Sequence, residues 1–305
     1  MERAKQQESA GKTPVILDTD IGDDIDDTWA LAMLLKSPEL DLKLVVGDTG
    51  NALYRARLIA RLLEIAERTD ISVGMGLNQG VQPGHENQQP WIEDYRLERY
   101  PGTVHADGVQ AMIDVIMASP CPVTLLCIGP VPNIAEALRR EPRIAGKCRL
   151  VGMYGCVRHG CDGAPQIHVE WNVRADVKSC QALFSAPWLE TVITPLDTCG
   201  QVCLKGEKYK AVCDSADPLT RAVIENYRIW LKGQADAQSS ILFDTVAVYL
   251  AFADDLLVME NLGIRVTDDG FTRIDEKARR MRVATEWKDL PAYEDFLVRR
   301  LTGVA

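Results

Sequence analysis

Four histidines in 305 residues are few for a metal or acid-base enzyme that works through imidazole. His85, His105, His159 and His168 stand apart from one another, and the nine cysteines form no Cys-x-x-Cys pair. That argues against a tetrahedral zinc centre. Positive charge is also short: 34 Lys and Arg against 44 Asp and Glu leave a net charge of −10. A chain so acidic lacks the basic face that a nucleic-acid partner needs. No apolar run approaches the roughly 18–20 residues of a membrane span. The opening "MERAKQQESAGKT" has no apolar centre, so it reads as no signal peptide. Residues 1–13 are expected to be a frayed tail and 14–305 a single domain, because no Gly/Ser/Pro linker or fixed-period repeat divides the chain. An odd, scattered set of cysteines reads as reduced thiols of a cytoplasmic protein, packed as small apolar residues.

What is present is a regular alternation. At 47 % hydrophobic the chain can build a large core. Apolar runs rich in Val, Ile and Leu, such as "PVILDTD", "LKLVVGDTG", "ISVGMG", "PVTLLCIG", "CRLVGMYG" and "LETVITPLD", read as strands. Between them lie stretches of helical period, among them "DDTWALAMLLKSP" and "ALYRARLIARLLEIAERT". The pattern predicts a single α/β domain with an open, mostly parallel sheet flanked by helices. Gly76 to Gly108, rich in Gln, Pro and Gly, reads as a long loop of the kind that carries substrate contacts. Ligands of such sheets bind beyond the carboxyl ends of the strands, where "DTDIGDDIDD", "GDTGN", "IGP", "MYGC" and "DTCG" fall.

The first of these segments, Asp18 to Asp27, holds six carboxylates in ten residues: Asp18, Asp20, Asp23, Asp24, Asp26 and Asp27. One or two can cap the following helix. The rest repel one another unless a cation offsets them. Clustered Asp oxygens suit a hard cation such as Ca²⁺ or Mg²⁺. The EF-hand register fails, with Asp23 at its sixth position and Trp29 at its twelfth.

"VILDTDIGDDIDDTWALAMLL" resembles the N-terminal signature of the inosine–uridine-preferring nucleoside hydrolases, an apolar strand followed by D-x-D-P-G-x-D-D. Here Ile21 replaces the Pro and two extra residues precede the final pair. Asp20 then matches the second Asp of D-x-D, and Asp26 and Asp27 the closing pair; an alternative register starts that pair at Asp24. "VVGDTGN", "LLCIGPVPNIAEALRREPRI", "VEWNVRAD" and "ILFDTVAVYLAF" are similar to further family segments in the same order. The resemblance implies hydrolysis of a nucleoside, a small molecule, to ribose and free base. It implies Ca²⁺ on Asp20, Asp27, Asp244 and the backbone carbonyl of Ile128, with Asp20 as general base. Asp26, Asn51, Glu170 and Asn172 would hold the ribose hydroxyls. It also implies a homodimer or homotetramer.

Each outlying residue has a simpler role open to it: Asn51 and Asp244 as helix caps, Glu170 as a surface acid. Asp176 reads as the cap of "VKSCQALFSA".

Two positions depart from the family pattern. Phe243 stands where the family has the His that protonates a departing purine, and Phe has no proton to give. His105, His159, His168 and Tyr154 are candidate substitutes. Ala164 stands where an Asn often holds the 5′ end of the sugar, a contact that Gln166 or His168 could remake. Two rival readings follow. One is a family member that binds a riboside or a metal as a sensor. The other is a haloacid-dehalogenase-type phosphatase with Asp18 as nucleophile, Asp20 as acid/base and Asp254–Asp255 on Mg²⁺; Gly22 stands where that signature wants Thr or Val.

Overall fold

The computed structural model describes residues 11–79 and 85–304. Residues 1–10 of the expected tail and 80–84 of the expected loop lie outside them. Ten strands form one sheet in the order β4-β3-β2-β1-β5-β6-β7-β10-β8-β9. They are β1 (Thr13–Thr19), β2 (Leu40–Gly47), β3 (Ser72–Met75), β4 (Val104–His105), β5 (Val123–Cys127), β6 (Cys148–Met153), β7 (Glu190–Thr194), β8 (Leu257–Val266), β9 (Thr272–Ile274) and β10 (Arg280–Trp287). β1 to β7 pair in parallel, and β10 adds in parallel to β7. Only β8 is reversed, pairing antiparallel with β10 on one side and β9 on the other. The mostly parallel α/β sheet is therefore what the alternation predicted, extended by a hairpin edge. The segment after Gly76 differs from a plain loop: it carries short 3₁₀ turns at Gln89–Ile92 and Leu97–Arg99 and the two-residue strand β4.

Eleven helices appear among the described residues. Those that position the site are α1 (Asp26–Leu35), α2 (Ala52–Ile65), α3 (Gly108–Ala118), α4 (Pro132–Arg140), α5 (Trp171–Ala175), α6 (Val177–Ser185), α7 (Leu196–Cys199), α8 (Gly206–Cys213), α9 (Pro218–Trp230) and α10 (Phe243–Leu250). The last, α11 (Leu290–Thr302), packs on α8.

Strand side chains alternate between faces. Val15, Leu17, Val45 and Leu126 enter one apolar layer with Trp29, Leu58 and Val246. Ile16, Leu44, Val46 and Leu125 enter the other with Met112, Ile134 and Trp188. A strand buried on both faces must be apolar throughout, which is why these segments read as continuous Val/Ile/Leu runs. α1 is buried from Asp26 to Leu34 and packs against α10, so it too is apolar on every side after its first turn.

Connectivity fixes where a ligand can sit. From β1 the chain steps outward through β2, β3 and β4, then returns to place β5 on β1's other side and steps outward through β6 and β7. The loops leaving β1 and β5 therefore diverge, opening a crevice at their carboxyl ends.

Candidate active site

The turn after β1 delivers the carboxylates into that crevice. Gly22 makes the bend with φ +114°, a conformation that favours glycine, and a Cβ there would collide with the Tyr54 ring and Leu58. The Tyr54 hydroxyl donates to the Gly22 carbonyl at 2.9 Å. Arg55 of α2, itself buried, donates to the Asp20, Ile21 and Thr49 carbonyls and so holds the turn from behind. Gly129, after β5, lies so close that a Cβ on it would stand 2.7 Å from Asp20 Oδ1.

Asp20, Asp26, Asp27, Asp244, Glu170 and Asn172 are all at most 7 % exposed. Asp26, Asp27 and Asp244 each offer a carboxylate oxygen within 4.8 Å of the others. Asp26 and Asp27 open α1, and Asp244 lies in the first turn of α10, its backbone N–H donating to Asp26 Oδ2 at 3.1 Å. The helix-cap role open to Asp244 is not taken; α10 has no side-chain cap. Thr19 donates to Asp27 Oδ1. Asp20 stands beside this triad: its charge is among the causes that raise Asp26, Asp27 and Asp244. Asp24 is exposed and caps the Ile25 N–H at 2.7 Å instead of joining the triad.

Glu170 is no surface acid. It caps α5, accepting from the Asn172, Gly155 and Val173 N–H groups at 2.6, 3.1 and 3.2 Å. Asn172 Nδ2 donates to the Ile128 carbonyl at 3.1 Å and to the Met153 carbonyl at 3.2 Å, tying α5 to the ends of β5 and β6. Asn51 does cap α2, accepting from the Tyr54 N–H, and its amide donates to Glu86 at 2.7 Å. Asp176 caps α6 through the Ser179 N–H.

Burial raises the carboxyl groups above their ordinary range. Asp20 rises to about 6, with Arg55 opposing and Asp23 adding. Glu170 rises to about 7 against its three N–H donors. Asp26, Asp27 and Asp244 stand well above the usual range, burial leading and neighbouring aspartates adding. Such an assembly of hard oxygen donors, with no Lys or Arg among the described residues paired to the triad, fits a divalent cation such as Ca²⁺ or Mg²⁺.

Sequence reasoning assigned no role to Asp48 or His85, and to Asp18 only that of a phosphatase nucleophile, yet the fold places all three here. Asp48 is fully buried after β2 with neither carboxylate oxygen hydrogen-bonded, and Asp18 has one oxygen bound to Asn133 Nδ2 at 2.8 Å and one free. Burial pushes Asp18 up to about 7. His85 donates to or accepts from Asp23 Oδ2 at 2.7 Å and lies parallel to Trp171, ring centres 6.0 Å apart.

Asp20, Asp26, Asp27, Glu170, Asn172 and Phe243 line a cavity of about 280 Å³, with Ile128, Asp244 and Trp171. An adjoining cavity of about 450 Å³ shares Asp20, Asp23 and Trp171 with it and adds Asn51, Arg55, His85 and Glu86. His105 lies on the edge strand β4 and lines neither cavity; nor do His159, His168, Ala164 or Gln166. The Tyr154 hydroxyl, fully buried, donates to the Gly129 carbonyl, so its proton is committed. Asp254 pairs with Arg282 and Asp255 accepts from Tyr249, away from Asp18, which removes the phosphatase constellation.

A carboxylate cluster thus lies at the switch point of a doubly wound sheet, beside the Glu170-capped start of α5. The family described as inosine-uridine preferring nucleoside hydrolase matches residues 15–294, and the chain belongs to that family, hence to the N-glycosyl hydrolases. Among curated relatives, the pyrimidine-specific ribonucleoside hydrolase RihA of Salmonella newport is 27 % identical over 221 residues, 70 % of this chain and 69 % of that protein. The non-specific ribonucleoside hydrolase RihC of Klebsiella pneumoniae is 29 % identical over 228 residues, 71 % of this chain and 73 % of that one. A plant nucleoside hydrolase superposes with a TM-score of 0.81 at 20 % identity, covering 96 % of this chain and 99 % of its own. The inosine-uridine preferring nucleoside hydrolase of Bacillus anthracis gives 0.78 at 19 %, covering 96 % and 100 %. These structures share the fold. Among the described residues, no helix is long and apolar enough to cross a membrane.

Proposed function

We propose that this chain cleaves the N-glycosidic bond of ribonucleosides or related N-ribosides, giving ribose and free base, with Ca²⁺ as its cofactor. The observation that carries the reading is the buried triad Asp26, Asp27 and Asp244 with Asp20 beside it, facing a cavity that also holds Glu170 and Asn172. Asp20, Asp27, Asp244 and the Ile128 carbonyl would hold the cation. A bound divalent cation lowers the pKa of water and orients it.

Asp20 accepts the proton of the attacking water as general base, held in place by the turn after β1. Asp26, Asn51, Glu170 and Asn172 hold the ribose hydroxyls. Glu170 and Asn172 are fixed by backbone hydrogen bonds before substrate arrives, so little freedom is lost on binding. The carboxylates around the cavity stabilise positive charge as it develops on the sugar ring. A cytoplasmic site of action accords with nine free cysteines. A homodimer or homotetramer remains the assembly this reading carries.

The test is release of free base and reducing sugar from a panel of ribonucleosides, with Ca²⁺ and after chelation. Cleavage that chelation stops and Asp20→Ala abolishes supports the reading. Saturable binding of riboside without turnover would make the protein a sensor instead.

A further inference from the structure

Resting on that reading of the site, we infer that the preferred substrate is a riboside whose base already carries positive charge, a pyridinium-type N-riboside. Three observations meet here. The first is chemical: Phe243 lines the cavity directly before Asp244, where the family resemblance places the proton donor to the departing base; Phe has no proton to give, and no His, Lys or Tyr lines that cavity beside it. A neutral base departs as an anion unless it is protonated; a cationic base departs neutral and needs no donor.

The second is charge. The two extra residues that distinguish the β1–α1 turn from the family pattern add acid to it. Asp23 and Asp24 line a third cavity, of about 290 Å³, that opens beside the one holding the triad. Together the two cavities are lined by seven carboxylates and by no Lys or Arg. Arg55 lines only the larger neighbouring cavity, with its N–H groups on backbone carbonyls, and Lys232 points to Asn87 Oδ1 at 2.8 Å. A cation held by Asp20, Asp27 and Asp244 leaves Asp23 and Asp24, the acids of the third cavity, to face what lies beyond the ribose.

The third is shape. The third cavity is walled by the rings of Trp171, Trp230 and His85. Trp171 is half exposed and parallel to His85, and the Trp230 indole N–H donates to the Asp23 carbonyl at 3.1 Å, which fixes its ring beside the acids. Aromatic faces with adjacent carboxylates recognise a flat organic cation. A neutral base would gain the stacking but nothing from Asp23 and Asp24.

The reaction balances without a co-reactant. Water attacks C1′, the C1′–N⁺ bond breaks, and its electron pair returns to the ring nitrogen as the neutral base. Asp20 takes the water proton and passes it to solvent. Each cationic riboside therefore yields ribose, neutral base and one proton, whereas a neutral nucleoside yields no net proton.

The probes are nicotinamide riboside, uridine and inosine, each with the Ca²⁺-loaded full chain, followed by base release and by proton release in weak buffer. The expected result is a kcat/KM for nicotinamide riboside at least tenfold above either neutral nucleoside, with one proton per base released. Asp23→Asn is expected to reduce that ratio about tenfold, and Phe243→His to reduce it by raising turnover of the neutral nucleosides about 100-fold, the contribution of one general acid. If uridine or inosine is the better substrate and His85→Gln abolishes its cleavage, His85 is the proton donor and the inference is overturned while the hydrolase reading stands. If none of the three is cleaved, both fall.

Discussion

Adding a divalent cation should stabilise this protein, and the effect should grow with pH. Asp20 rises from 3.8 to about 6 and Asp18 to about 7 in the folded chain. One pKa unit is about 1.4 kcal/mol, so ionising them in place costs about 3 and 4 kcal/mol respectively. The folded-state values lie above the unfolded ones, so the metal-free fold binds more protons between pH 4 and 7. Its stability is therefore greatest toward the acid end of that window and is lost as pH rises through 6 and 7. A cation relieves the repulsion only where the carboxylates are ionised, and protons compete with it below. At a concentration near 1,000 times Kd, binding contributes about 4 kcal/mol. With about 2.1 cal/mol/K per residue, 305 residues give roughly 0.6 kcal/mol per degree, so the melting temperature should rise about 6 °C. Scanning calorimetry with Ca²⁺ or chelator at pH 5 and pH 8 measures it. The expected rise is about 6 °C at pH 8 and a fraction of that at pH 5, and most of it should vanish in Asp244→Asn. Equal shifts at both pH values, or an undiminished shift in the variant, would refute the reasoning.

Gly129→Ala should lower kcat at least 100-fold, because its Cβ would stand 2.7 Å from Asp20 Oδ1 and displace the base; steady-state kinetics with calorimetry separates this from unfolding. Asp20→Asn keeps the shape of the side chain but not its basicity and should cut kcat by about 10²–10⁴ while circular dichroism stays unchanged. Glu170→Ala should weaken ribose binding and cost about 1–2 kcal/mol of stability through the lost α5 cap, whereas Glu170→Gln should restore most of the stability and little of the activity. Denaturant titration beside KM measurement reads both.

How much of this was legible in the sequence follows from whether partners lie near each other along the chain. The strands of the inner sheet are buried on both faces, and their apolar runs announce them. β4 is two residues long and β8 is only half buried, so neither carries a pattern strong enough to read. The "DTDIGDDIDD" cluster is local and declared itself. Glu170, Asn172 and Asp244 were reachable only through the family resemblance, because nothing in a single Glu or Asp says that a fold of this topology will carry it to β1. Asp23 and His85 are 62 positions apart, His85 reaching the cluster from the segment after β3; Asn133 and Asp18 are 115 apart and meet because the crossover sets β5 beside β1. Asn51 shows that a residue can both cap a helix and face the cavity, so the two readings of such a residue need not compete.

The central claim is that water opens the C1′–N bond of a riboside at the Asp20 cluster. The most direct measurement is turnover of uridine, inosine and nicotinamide riboside in ¹⁸O-labelled water with Ca²⁺, followed by mass analysis of both products. The account predicts equal amounts of ribose and base, the label on ribose alone, and loss of both products with Asp20→Asn or chelator. Binding of all three ribosides with no release of base, or release that persists in Asp20→Asn, would contradict it.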